Sequence, residues 1–152
     1  MFLKKALFAF INMPIRNCPI YSFPGNKDTL ILPIKIINPH NSKFLKTWGL
    51  LDTGASECAF PARMADILGH DLIMGKIKEI NTGNGLAKAY CHTSTIEVYH
   101  PQHLNDPSIF SMENVFIDFM PNLNVPLLGV KGFLSNFILK IDYPNRIFSL
   151  IK

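Results

Sequence analysis

Residues 50–56, Leu50-Leu51-Asp52-Thr53-Gly54-Ala55-Ser56, set a carboxylate, a hydroxyl and a glycine at the end of an apolar run. A carboxylate in that position is costly to bury unless it is hydrogen-bonded or does chemistry with a proton. Thr53 brings a hydroxyl, and Gly54 allows close backbone approach or a positive φ. Taken alone, the same residues also read as a strand running into an ordinary turn, since Asp, Thr and Gly all favour turns. The other residues with chemical potential are weaker. His100 and His103 share one loop, but His40, His70 and His92 complete no ligand spacing around them, so the five histidines read as solvated loop residues. Cys58 has no sequence neighbour that would lower its pKa and reads as a small buried residue.

The elements that must position Asp52 are mostly strands. The chain has 152 residues, 48% hydrophobic and 17% charged, which suits one folded domain with a real core and excludes a disordered tail. Twelve Phe, eleven Pro and many Ile favour strands and turns over long helices. Residues 1–24 form an apolar arm broken by Pro14, Pro19 and Pro24, and residues 25–28 a turn. Strands are expected over 29–38, where Pro33 suggests an edge or a bulge, and over 44–51, which runs straight into Asp52. Residues 61–68 form a short helix opened by Pro61 and closed by Gly69. Strand-like stretches at 77–81 and 86–99 flank Thr82-Gly83-Asn84-Gly85, a hairpin signal. Further strands are expected at 115–120, 138–142 and 146–151, with a short helical piece at 131–136. Trp48 and the Phe residues read as core.

Charge and cysteine usage limit the partners. The net charge of +4 comes from fifteen scattered Lys and Arg, with Lys76 and Lys78 as the exposed face of a strand, which speaks against a nucleic-acid stripe. Cys18, Cys58 and Cys91 are odd in number and follow no CxxC spacing, arguing for a reducing compartment such as the cytoplasm and against a disulfide framework or zinc site. The apolar run at residues 6–11 is about six long, shorter than the roughly 7–15 of a signal core. No stretch approaches the ~18 apolar residues of a membrane span.

Three segments in fixed order, LLDTGAS at 50–56, NTGNG at 81–85 and VPLLGVKGFLSNFILKIDYPNRIFSL at 125–150, resemble the retropepsin-like aspartic proteases. The likeness covers roughly residues 30–150. It implies a mostly β chain with a closed barrel and one or two short helices, an arm at 1–24, and a protease domain at 25–152. Peptide hydrolysis without metal or covalent intermediate needs a base to activate water and an acid to protonate the leaving nitrogen. Two carboxylates about 3 Å apart can share one proton and do both. The sequence has one Asp-Thr-Gly, at 52–54, and no Asp-Ser-Gly. The resemblance therefore implies a twofold homodimer, each copy supplying Asp52.

By the same likeness Thr53 would hydrogen-bond across the twofold axis, and Gly54 would let its peptide lie close to carboxylate and substrate. Thr82, Gly83, Asn84 and Gly85 would form a flap over a peptide or protein substrate bound as an extended strand. Leu127, Leu128 and Gly129 would support the catalytic turn. No metal or other cofactor is implied. Two other readings remain: a dimeric module on this fold that binds peptide without cutting it, and a monomeric β domain in which Asp52 only caps a turn.

Overall fold

The alternation of apolar residues in strands with period two builds nearly the whole molecule. In the computed structural model, which describes residues 15–152, the strands are β1 (Ile15–Pro19), β2 (Tyr21–Phe23), β3 (Asn26–Thr29), β4 (Ile31–Ile37), β5 (Phe44–Leu51) and β6 (Cys58–Pro61). After the helix α1 (Ala62–Ile67) come β7 (Lys76–Thr82), β8 (Gly85–Val98), β9 (Phe110–Met120), β10 (Leu127–Leu128), β11 (Ile138–Asp142) and β12 (Ile147–Ile151). Leu72–Met74 and Leu134–Asn136 are single 3-10 turns, the second being all that forms of the helix expected at 131–136.

A seven-stranded sheet runs in the order β4-β5-β10-β6-β9-β8-β7, and β4 also pairs with β8. That extra pairing closes the strands from β4 to β8 into a ring and leaves β7 outside it, paired among the described strands with β8 alone. The expected mostly β closed barrel is therefore present. Leu32, Ile34 and Ile36 of β4 alternate into its core, packed with Phe60, Phe119, Phe133 and Phe148, all fully buried. A separate three-stranded sheet has the order β1-β12-β11, with Ile15 opposite Leu150. Within the arm expected at 1–24, residues 15–19 are thus a sheet strand and residues 21–23 another, paired with β3, while residues 1–14 lie outside the described residues.

Several local expectations are corrected. The turn expected at 25–28 narrows to residues 24 and 25, where Gly25 has φ +79°, and β3 starts at Asn26. Pro33 is on no outer edge: β4 pairs on both sides. Its carbonyl accepts from Tyr99 N–H at 2.9 Å, just past the end of β8, so the side lacking an N–H faces the margin of that ladder. β9 begins at Phe110 instead of 115, because a bulge with Asn114 at φ +55° interrupts its pairing with β8 and breaks the sequence pattern there. Trp48, Phe44 and Phe116 are not core but 38%, 53% and 62% exposed.

α1 follows Pro61 and ends at Gly69, as its sequence indicates; Gly69 has φ +72°. The side-chain amides of Asn38 and Asn41 both donate to the Leu68 carbonyl, at 2.9 and 3.0 Å, satisfying an acceptor the helix end leaves open.

Candidate active site

Asp52 is placed by backbone, and by two segments far apart in sequence. β5 turns Leu45, Thr47, Gly49 and Leu51 inward, so its end delivers Asp52 to the rim of the barrel, half-buried. The two residues of β10 lie between β5 and β6, parallel to the first, with Leu127 opposite Leu50 and Leu128 opposite Leu51. The Leu50 N–H donates to the Pro126 carbonyl at 2.8 Å and the Asp52 N–H to the Leu128 carbonyl at 3.1 Å. Within the turn, the Gly54 N–H donates to Asp52 Oδ1 at 2.9 Å and the Ala55 N–H to the Asp52 carbonyl at 3.2 Å. Val130 and Lys131 then donate their N–H groups to the carbonyls of Ala55 and Ser56 at 2.9 and 2.8 Å.

This crossing leaves no room at Gly129. A Cβ there would stand 2.2 Å from the Glu57 carbonyl oxygen and 2.8 Å from that of Ala55. The support role expected for residues 127–129 thus corresponds to direct hydrogen bonds and close backbone packing. Thr53 and Gly54 are exposed. With one oxygen held by a backbone N–H, the Asp52 carboxylate is fixed in orientation.

The hairpin of β7 and β8 is built differently. Thr82 pairs with Gly85 around a two-residue turn of Gly83 and Asn84. The Thr82 hydroxyl donates to the Gly85 carbonyl at 2.8 Å, and Gly85 takes φ +105°. Residues 81–86 are all exposed. Among the described residues, no hydrogen bond or ion pair joins residues 82–85 to residues 52–54.

No protein-family model and no curated protein matches the chain. Among solved structures, the crystal structure of a retropepsin-like aspartic protease from Rickettsia conorii is similar, at 22% identity and a TM-score of 0.60, over 87% of this chain and 95% of that one. The chain has a retropepsin-like fold.

Within this retropepsin-like fold, β7 meets the barrel through two side chains. Ile80 joins Ala87, Leu123 and Leu127 against the buried Ala59, Ala89 and Met120, an apolar cluster separate from the main core. Two residues back on the same face, Lys78 Nζ lies 2.6 Å from Glu57 Oε2 and 3.1 Å from Asp118 Oδ1. Lys131 Nζ stands 3.7 Å from the other Glu57 oxygen. Lys78 is therefore not part of an exposed strand face, as its sequence position suggests; its side chain is 27% exposed and Asp118 almost wholly buried. The Lys78 hydrogen bond holds the Glu57 carboxyl below its ordinary range. Burial raises that of Asp118, an effect Lys78 partly offsets. Burial disfavours the Lys78 ammonium, but the two carboxylates outweigh it and raise its pKa. Glu57 and Asp118 escaped the sequence reading; the one available signal was an isolated acid in the apolar run of β9, 115–120.

The histidines divide. His70 is buried and stacks on His92 with ring centroids 4.6 Å apart, and His100 is buried as well. These are packed side chains, not the solvated loop residues expected. Burial, with His92 beside it, pushes the His70 pKa down to about 4. Cys58 is fully buried and its thiol is raised to about 11 by burial, which matches its reading as an inert residue. A cavity of about 880 Å³ lies on the flank of the Lys78 cluster, not over Asp52; Glu57, Lys78, Cys91 and Lys131 contribute to its wall.

Proposed function

We propose that the chain is an aspartic endopeptidase that works as a homodimer and needs no cofactor. The observation that supports this most is Asp52 itself: a half-buried carboxylate on a backbone-locked Asp-Thr-Gly turn of a retropepsin-like fold, one per chain. One carboxylate cannot serve as base and acid in the same step, whereas two copies meeting at this turn share a proton between them. One Asp52 takes a proton from water while the other donates to the substrate carbonyl. Thr53 and Gly54, exposed in a single copy, are then the surface across which the two turns meet. Thr82, Gly83, Asn84 and Gly85 close over an extended peptide and exclude water.

Asp52→Asn tests this reading. The variant is expected to keep its melting temperature and its dimeric sedimentation, and to lose at least about 10³-fold in peptide cleavage. For the unaltered protein, cleavage falls at both pH extremes, because one carboxylate must be ionised and the other protonated. A protein that binds peptides but never cuts them points to the binding-module reading, and one that sediments as a monomer at high concentration defeats the shared-proton mechanism.

A further inference from the structure

We propose that Lys78 is a flap-positioning residue: its ammonium, clamped between Glu57 and Asp118, fixes the β7–β8 hairpin relative to the turn that carries Asp52. The kinetic part of this rests on the protease reading above; the mechanical part does not.

Three observations carry it. First, β7 lies outside the closed ring and, among the described residues, pairs as a strand with β8 alone, so its position against the barrel depends on side chains. Only Lys78 and Ile80 of its seven residues are not fully exposed. Ile80 makes apolar contacts, which are tolerant of sliding, whereas Lys78 makes a directional 2.6 Å hydrogen bond to Glu57 and a 3.1 Å ion pair to Asp118. Second, the two carboxylates come from different places. Glu57 belongs to the segment leaving the Asp52 turn, bridged to Lys131, and Asp118 to β9 near its C-terminal end, opposite Ala59 of β6 and Cys91 of β8. Lys78 therefore ties the hairpin to the turn and to the barrel wall at once.

Third, Asp118 depends on Lys78. It is 2% exposed, its Oδ1 lies 3.1 Å from Nζ, and the other polar groups beside it, the Glu57 carboxyl and the Cys91 thiol, bring no positive charge. Lifting the hairpin would withdraw the one cation that, among the described residues, lies within ion-pair distance of this buried carboxylate, which is far more costly than parting an exposed ion pair. Of the other groups facing the clamp, Lys131 pairs with Glu57 from the exposed side, and the Cys91 thiol is kept protonated by burial. Neither replaces Lys78. The clamp thus favours the docked hairpin while leaving its tip, residues 82–85, free to move.

Hydrogen–deuterium exchange on the full chain, as unaltered protein, Lys78→Met and Lys78→Arg, tests the mechanical part, alongside KM and kcat for peptide cleavage. In Lys78→Met, amides of residues 79–90 are expected to exchange about 5- to 10-fold faster while those of β4 and β5 stay unchanged. KM should rise about fivefold with kcat within about twofold, and Lys78→Arg should restore both. Unchanged hairpin exchange, or a rise spread evenly over the barrel, overturns the proposal. Should Lys78→Met fail to fold, Glu57→Gln serves, with a smaller rise of about 2- to 3-fold confined to the same residues; its absence overturns the proposal equally. If the unaltered protein cuts no peptide while the local exchange change occurs, the protease reading falls and the positioning role stands.

Discussion

The turn at residues 52–57 and the hairpin at residues 76–98 flank the same rim of the barrel and are held by opposite means. The turn is fixed by backbone: six main-chain N–H groups tie residues 50–56 and 126–131 together or into the turn, and Gly129 passes so close that no side chain fits. The hairpin has one strand outside the ring, an exposed tip, and an anchor of one ion cluster and one isoleucine. Backbone hydrogen bonds between buried segments break only when the fold does, whereas side-chain anchors can release locally. On the protease reading proposed above, a site that must hold a carboxylate in one orientation, yet admit a chain of substrate, needs one region of each kind.

Glycine replacements break this contrast most directly. Gly129→Ala places a methyl 2.2 Å from the Glu57 carbonyl oxygen, a backbone atom that cannot step aside. It is expected to cost about 3–5 kcal/mol or to abolish folding, read as the urea midpoint or the soluble yield. Retention of full stability would show that the crossing is looser than drawn here.

Next in size is an acid effect at the base of the hairpin. His70 is held neutral in the fold down to about 4, against 6.5 ordinarily. Its contribution is present above 6.5 and is lost as pH falls from 6.5 towards 4, where the unfolded chain takes up a proton the folded one refuses. Urea unfolding across that interval should show a loss of about 2–3 kcal/mol that His70→Phe largely removes. The smallest effect is expected at the tip: a Cβ at Gly83 meets nothing within 4 Å, so Gly83→Ala should change stability by under about 0.5 kcal/mol in thermal melts. A large loss there would mean that the tip is packed as firmly as the turn.

How much of this was legible in the sequence follows the same divide. β5 was readable to the residue, because Leu45, Thr47, Gly49 and Leu51 alternate and Asp-Thr-Gly ends the pattern. α1 was framed by Pro61 and Gly69, and the hairpin by its two glycines. β9 lost its first half to the Asn114 bulge, which breaks the period that marks a strand. Lys78 was misread because alternation tells which residues share a face, not what that face meets. Glu57 and Asp118 arrive from other strands, and nothing near Lys78 in sequence announces them. Trp48 and Phe116 were misplaced for the converse reason, apolar residues on faces that this copy leaves open.

The insertion of β10 between β5 and β6 also bears on how the molecule comes into being. The N–H of Asp52 is secured by the carbonyl of Leu128, so a chain emerging from the ribosome carries its acid long before the segment that seats it. Contacts this distant form late. A growing or truncated polypeptide that stops short of Leu128 displays the Asp-Thr-Gly signature with no carbonyl of β10 to seat the Asp52 N–H.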